Sequence, residues 1–228
     1  PFNVRERIIE YVLEDRLSDS SKLVDLNLKE FAHETAAESP APGGGSISAY
    51  VGALGVSLGT MVANLSAHKR GWDDKWEYYS EWAVKGQQYK QRLTELVDED
   101  TEAFNQIMAA FGLPKGSEAE KEARKQAISD ATKGAILIPL EVMKNAADSM
   151  EVMLEMSQTG LEASISDAGV GALCARTAVR GAWLNVRINA KDLNDQSFID
   201  DVMNEASAYM SKADELESKI IGFVEDKI

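Results

Sequence analysis

The chain has 228 residues, 44% of them hydrophobic, which suffices for one domain with a sizeable core. Its 38 acidic residues outnumber its 24 basic ones. The formal net charge of −14 would repel nucleic acid and anionic membrane surfaces, so neither is expected as a partner. The single cysteine cannot form an intrachain disulfide and no secretory signal is visible, so we expect a cytoplasmic protein.

Helical periodicity extends through nearly the whole chain, because apolar residues recur at spacings of three and four, and strand signals are scarce. Residues 1–25 are expected to form an N-terminal helix and linker, and residues 26–228 one helical domain. Helices are expected at residues 5–17, 46–68 and 73–111, and from Asn27, Ser117, Ser166 and Ser197 onward. The predicted fold is an all-α, multihelical up-and-down bundle, and the regular apolar face of the last helix is typical of a bundle or a dimer interface.

Two helix starts and one interruption have clear signals. Asn27 with Glu30, and Ser117 with Glu120, have the spacing of capping boxes. Pro139 is expected to kink or restart the helix that begins near Ser117, because proline lacks the backbone N–H that a helix interior needs.

Residues 47–67 carry no charged side chain over a length that could span a bilayer. Hydroxyl and amide side chains and several glycines dilute the apolarity of this segment, and interfacial anchors are poor. We therefore expect a helix buried on all sides within the bundle and no membrane association.

A proline- and glycine-rich loop, Pro40-Ala41-Pro42-Gly43-Gly44-Gly45-Ser46, leads into this helix. The glycines permit a tight turn and Ser46 is a good N-cap, so the free N–H groups there form a candidate site for an anion or a carbonyl-rich ligand. No Walker A lysine closes the loop and no strand precedes it, which excludes the common nucleotide-binding loops. A tight turn into a buried helix is the structural alternative.

Asp100 interrupts an otherwise apolar stripe that includes Leu96, Phe104 and Ile107. A buried carboxylate is costly unless it is paired, so we expect the pKa of Asp100 to be raised toward a range useful for acid–base catalysis. Asp100 is the first catalytic candidate. An interhelical salt bridge or hydrogen bond is the alternative.

Asp167, Asn185 and Asn189 share one side of a later helix, where they can offer hydrogen-bond donors and acceptors to a heterocycle. Asp167 is the second catalytic candidate, and the two asparagines are candidate binding residues. The alternative is that Asp167 caps its helix and the asparagines tie helices together.

Lys69 and Arg70 form a basic pair at the end of the helix at residues 46–68. They either interact with the helix C-terminus or bind the carboxylates of a substrate. Two histidines and one cysteine give no metal-ligand spacing, so no metal is expected.

Three separated segments carry a family resemblance: SPAPGGGSISAYVGALGVSLGTMVANLSAHKR, LVDEDTEAFNQIM and SDAGVGALCARTAVRGAWLNVRIN. In this order they resemble the formiminotetrahydrofolate cyclodeaminase and methenyltetrahydrofolate cyclohydrolase family, over almost all of the chain from about Leu26. The resemblance is closest to the cyclodeaminase half of bifunctional formiminotransferase-cyclodeaminases, in which residues 1–25 would connect to a preceding transferase.

The resemblance implies cyclisation of 5-formiminotetrahydrofolate to 5,10-methenyltetrahydrofolate with release of ammonia, a step of histidine degradation, with tetrahydrofolate as the carrier. It further implies a homodimer or higher homo-oligomer, a fused or associated formiminotransferase, and a folate, polyglutamylated in some cases, whose tail Lys69 and Arg70 would bind. Cyclohydrolase activity is the nearest alternative, and a non-catalytic helical scaffold is the other. An enzyme requires the glycine loop, Asp100 and the side of Asp167 and Asn185 to converge on one cleft.

Overall fold

The computed structural model describes residues 22–191 and 193–228, so most of the predicted N-terminal helix and linker lies outside the described residues. Within those ranges the protein is all-α and contains no strand, as predicted. The helices are α1 (Leu28–Thr35), α2 (Gly44–Ala67), α3 (Trp76–Phe111), α4 (Glu118–Thr159), α5 (Ile165–Ala190) and α6 (Gln196–Glu225). The five long helices, α2 to α6, pack as a bundle, and α1 lies at its edge, where Phe31 contacts Tyr50.

Both predicted capping boxes are confirmed. The Asn27 side chain accepts a hydrogen bond from the Glu30 N–H, and the Glu30 carboxylate accepts one from the Asn27 N–H. Ser117 and Glu120 make the same reciprocal pair at the start of α4. Each box satisfies two of the N–H groups that a helix N-terminus leaves without an intrahelical partner.

Pro139 was expected to kink or restart its helix, and the restart is wrong, because α4 continues through Pro139 as one helix. Proline cannot donate to the carbonyl four residues earlier, which here belongs to Ala135. Asn189 of α5 supplies the missing donor, since its Nδ2 lies 2.8 Å from the Ala135 oxygen. A side chain from a neighbouring helix therefore replaces the hydrogen bond that the helix loses.

Helix α2 lies at the centre of the bundle, against α3, α4 and α5. Its approach to α5 is close, because a Cβ on Gly55 would lie 2.7 Å from the carbonyl oxygen of Gly171. Among the described residues, α2 is the one helix long and apolar enough to cross a membrane, with a mean hydropathy of 1.5. Of its most apolar window, 61% is buried inside the protein, so core packing accounts for most of its apolar composition. The expectation that this helix is buried on all sides is wrong, because Leu54, Met61 and Leu65 are exposed.

Candidate active site

A small cleft of about 200 Å³ opens between the loop before α2, the second half of α3 and the end of α5. Twelve residues line the cleft: Pro40, Ala41, Gly43, Gly44, Gly45, Asp100, Thr101, Phe104, Ile107, Ala135, Asn185 and Asn189. The structure thus brings together the glycine loop, Asp100 and both asparagines. Asp100 is the one titratable side chain among these lining residues.

Two wider grooves, of about 610 and 550 Å³, run along the outer sides of α2 and α3. They share Asn64, Gln87 and Lys90, and are lined mainly by amide, hydroxyl and aliphatic groups. The smaller cleft is the better candidate site. It is enclosed by segments from four parts of the chain and contains a carboxylate with a perturbed pKa, whereas the grooves are open surface features.

The Asp100 carboxylate binds the N-terminus of α2. Its Oδ2 accepts a hydrogen bond from the Ser46 N–H at 2.8 Å and another from the Ser46 hydroxyl at 2.9 Å. Burial raises the pKa of Asp100 above its ordinary value, and the two hydrogen bonds from Ser46 offset part of that rise. Asp100 therefore presents a carboxyl group with a raised pKa at the wall of the cleft.

Ser46 is not the N-cap of α2, contrary to the sequence-based prediction. The helix begins at Gly44, Gly43 occupies the cap position, and no side chain caps it. Ser46 is the third residue of the helix, and its hydroxyl turns to Asp100 instead. The anion at this helix N-terminus is therefore a carboxylate of the protein itself.

Gly45 is required by the approach of Asp100 to α2. A Cβ on Gly45 would lie 2.0 Å from Oδ1 and 2.5 Å from Cγ of Asp100, which no side chain could accommodate without displacing the carboxylate. A Cβ on the neighbouring Gly44 would lie 3.0 Å from Nδ2 of Asn185, a tight contact. The glycine pair thus permits both polar side chains to reach the same loop.

The amide group of each asparagine donates a hydrogen bond to a backbone carbonyl oxygen. Asn185 Nδ2 donates to the Gly181 oxygen within α5 at 2.9 Å, and Asn189 Nδ2 donates to the Ala135 oxygen of α4. Neither Oδ1 accepts a hydrogen bond from another described residue. Asn189 therefore ties α5 to α4, as the alternative interpretation held, whereas Asn185 bonds within its own helix, and each retains an acceptor beside the cleft.

Asp167 does not reach this cleft. It lies in the first turn of α5, 18 residues before Asn185, and at a rise of 1.5 Å per residue this separates the two by roughly 27 Å. The expectation that Asp167 and Asn185 meet in one cleft is therefore wrong. Helical periodicity correctly places the two residues on one side of the helix, but they lie near its opposite ends.

Lys69 and Arg70 are also remote from the cleft, since they follow the last residue of α2. That helix has 24 residues and spans roughly 36 Å from its first residue, Gly44. Lys69 Nζ lies 4.3 Å from the ring centroid of Trp72, a cation–π contact in the turn between α2 and α3. Within one chain this pair does not contact a ligand held by the glycine loop.

Pro42 and Ser46 are buried beside the cleft and do not line it, whereas Pro40 and Ala41 do. Thr101 was not among the predicted site residues, yet it lines the cleft with its Oγ1 3.5 Å from the Ser46 Oγ. Phe104 was predicted to face inward but is 37% exposed, because it forms a wall of the cleft. Its spacing of four from Asp100, on the same helical face, was the available signal.

No group of three or more histidine, cysteine, aspartate or glutamate side chains suited to a metal ion occurs among the described residues. The polar set at the cleft is one carboxylate, two hydroxyl groups, two amides and the N–H groups of a glycine loop. Together the fold and the cleft define an all-α protein with a small polar cleft that presents one partly buried carboxyl group.

Comparison with known proteins gives the family. Residues 27–208 match the family model described as formiminotransferase-cyclodeaminase, so the chain belongs to that family. It is 33% identical to the formimidoyltransferase-cyclodeaminase of Rattus norvegicus over 99% of this chain and 41% of the relative. It is 34% identical to the methenyltetrahydrofolate cyclohydrolase of Methylorubrum extorquens over 88% of this chain and 97% of the relative.

A solved structure agrees with this membership. The crystal structure of formiminotetrahydrofolate cyclodeaminase from Thermotoga maritima superposes with a TM-score of 0.78 and 26% identity, covering 88% of this chain and 96% of that one. The chain spans about two fifths of the length of its animal relatives, which are bifunctional by name. It is an enzyme of the folate one-carbon cyclodeaminase and cyclohydrolase family.

Proposed function

We propose that the protein converts 5-formiminotetrahydrofolate to 5,10-methenyltetrahydrofolate and ammonia, with Asp100 as the general acid. The observation that carries this proposal is that Asp100 is the one titratable group among the residues that line the cleft, and that burial raises its pKa. The names of the rat and Thermotoga maritima relatives support the choice of substrate.

The reaction needs one proton donor and a fixed geometry. N10 of the folate attacks the formimino carbon, and its proton passes to the formimino nitrogen, which becomes the NH2 group of a tetrahedral adduct. The exocyclic nitrogen of that adduct must be protonated before its bond to carbon breaks and ammonia leaves, and the methenyl cation remains. Protonated Asp100 donates this proton, and its carboxylate then stabilises the cation. Much of the acceleration comes from holding N5 and N10 at attack distance.

The cleft is smaller than a complete folate requires. Pockets that enclose a drug-sized ligand have volumes of roughly 300–1,000 Å³, and this cleft has about 200 Å³. We therefore place the reacting bridge and part of the pterin ring in the cleft, with Phe104 as an apolar wall and the Asn185 and Asn189 oxygens as acceptors. The glutamate tail extends outside it.

The second candidate activity is methenyltetrahydrofolate cyclohydrolase, and the relative from Methylorubrum extorquens favours it, because the match covers 97% of that protein. In that reaction water adds to the methenyl carbon, and Asp100 would act as a base in its charged form. The two activities therefore predict opposite pH dependence, since only cyclodeamination needs the protonated carboxyl group.

The purified chain should be assayed with each folate separately. With 5-formiminotetrahydrofolate, cyclodeamination gives equal amounts of methenyl product and ammonia. With 5,10-methenyltetrahydrofolate, cyclohydrolase activity consumes the methenyl chromophore and releases no ammonia. If the chain turns over neither substrate, a non-catalytic helical scaffold is the correct interpretation.

We also propose that two copies associate through the exposed faces of α2 and α5. These helices lie side by side and expose seven large apolar residues: Leu54, Met61, Leu65, Val170, Leu173, Leu184 and Ile188. Helix α2 carries no charge, so two chains with a net charge of −14 can approach there with little repulsion. Light scattering should give twice the chain mass for the natural sequence and a single mass for Leu54→Glu. A monomer at micromolar concentration would overturn this proposal.

A further inference from the structure

Ser46 is fully buried, yet its hydroxyl bonds to another helix. Helix α2 contains five serine and threonine side chains. Four of them, those of Ser48, Ser57, Thr60 and Ser66, donate to the backbone carbonyl four residues earlier, which is the usual local bond of a helical hydroxyl. Ser46 instead donates to Oδ2 of Asp100 on α3.

The backbone and side chain of Ser46 act on the same oxygen. Its N–H lies 2.8 Å and its Oγ 2.9 Å from Oδ2, so two donors hold one edge of the carboxyl group. The other oxygen, Oδ1, lies nearest to Gly45, which also lines the cleft, and accepts no hydrogen bond from a described residue. A carboxyl group held in this way carries its proton on Oδ1, because the doubly bonded Oδ2 already accepts two hydrogen bonds.

We propose that Ser46 is a positioning residue that holds Oδ2 of Asp100 away from the substrate, so that Oδ1 presents the reactive proton to the cleft. This inference rests on the proposed role of Asp100 as the general acid. Ser46 does not line the cleft, and its hydroxyl contacts two residues that do, Asp100 at 2.9 Å and the Oγ1 of Thr101 at 3.5 Å.

Other charged groups near Asp100 do not account for its state. On its own helix, Glu99 pairs with Arg92 at the surface. On α4, Lys133 pairs with Asp195. On α5, Arg187 lies over the Trp183 ring at 5.8 Å, and α2 has no charged residue at all. Among the described residues, burial and Ser46 therefore determine the ionisation of Asp100.

The test substitutes Ser46→Ala, which removes the hydroxyl donor and keeps the backbone donor. The matched control is Ser48→Ala, which removes a hydroxyl of similar burial from the same helix without touching Asp100. Carbon-13 NMR of labelled aspartate, with Asp100→Asn to assign the signal, follows the carboxyl group of the free protein. The pH dependence of kcat and KM is measured on the same proteins, after circular dichroism shows that they are folded.

In Ser46→Ala we expect the pKa of Asp100 to rise, because a donor to its charged form is lost. The alkaline limb of kcat should move to higher pH by the same amount. At low pH kcat should fall by roughly 10-fold from lost orientation while KM stays within about 2-fold. Ser46→Cys, a weaker donor, should be intermediate, and Ser48→Ala should match the natural sequence.

The measurements separate the role of Ser46 from that of Asp100. An unchanged Asp100 titration in Ser46→Ala, or an equal change in Ser48→Ala, would overturn the positioning role of Ser46. A shifted titration with an unmoved kcat profile would leave that contact in place and overturn the role of Asp100 as general acid.

Discussion

The carboxylate of Asp100 lies in the space that a side chain on residue 45 would fill, so only a glycine fits at position 45. The Oδ1 atom of Asp100 lies 2.0 Å from the point where a Cβ on residue 45 would stand. The carboxylate can therefore reach the N-terminus of α2 and bond to Ser46 only because residue 45 has no side chain. The loop sequence and the buried carboxylate of α3 thus form one structural unit.

Gly45→Ala should therefore displace Asp100. We expect kcat to fall by roughly 10²-fold or more, because the acid leaves its position, and the melting temperature to fall as well, because the bonds to Ser46 are lost. Steady-state kinetics and thermal unfolding measure both effects. Gly222→Ala is the control, since a Cβ there meets nothing within 4 Å, and it should add up to about 1 kcal/mol of helix stability. Full activity in Gly45→Ala would refute the contact.

Gly44→Val should abolish turnover while helical circular dichroism is retained. Residue 44 lines the cleft against the Asn185 amide, and the added isopropyl group would fill that space. Binding of tetrahydrofolate, measured by calorimetry, should be lost together with activity. Unchanged kinetics in this variant would remove the loop from the folate site.

The stability of the protein should depend on pH through Asp100. Its pKa in the folded protein is raised by burial, so between the unfolded and folded values the folded state binds more protons and stability falls as pH rises. Asp100→Asn removes this dependence. Relative to the natural sequence, the variant should gain melting temperature as pH rises from about 4, the ordinary aspartate value. If the melting temperature of Asp100→Asn fell relative to that of the natural sequence as pH rises, the raised pKa of Asp100 would be contradicted.

Asn189 and Pro139 should be energetically coupled through the Ala135 carbonyl. Asn189→Ala leaves that buried acceptor without a donor, because Pro139 has no N–H to give it, and should cost about 1–3 kcal/mol. In a Pro139→Ala background the helix supplies its own donor, so the same substitution should cost less. A double-mutant cycle by urea unfolding measures the difference. Strictly additive effects would show that Asn189 does not compensate for the proline.

Lys69→Gln with Arg70→Gln should leave kcat and the KM for a monoglutamyl folate within about 2-fold of the natural values. The pair lies roughly 36 Å from Gly44, and Lys69 is engaged with Trp72. The KM should be measured at low salt for folates with short and long tails. A KM that rises only for long tails would show that this basic pair binds the tail of a folate held by another copy.

Local signals in the sequence were sufficient for the fold. Apolar spacing gave the helices, and Asn27 with Glu30 marked a helix start because a capping box involves only neighbouring residues. The position of a residue along its helix was harder to relate to the candidate site. Asp167 and Asn185 share one side of α5, but a catalytic cleft also requires the same end, and that depends on how the helices pack.

Contacts between distant segments explain the other errors at the site. Ser46 has the composition of an N-cap, but a carboxylate 54 positions later recruits its hydroxyl. The continuation of α4 through Pro139 depends on Asn189, 50 positions further along the chain. Thr101 has no periodic signal of its own and enters the site because the loop before α2 packs against that turn of α3.

The most direct test of the central claim is a single-turnover assay of Asp100→Asn with 5-formiminotetrahydrofolate, in which methenyl formation and ammonia release are followed together. The variant keeps the shape of the side chain and an acceptor for Ser46, so folate binding should change little. Both product signals should slow by roughly 10²-fold or more, in equal proportion, because the departing nitrogen lacks its proton donor. Ammonia release at the natural rate from a folded Asp100→Asn protein would contradict the account.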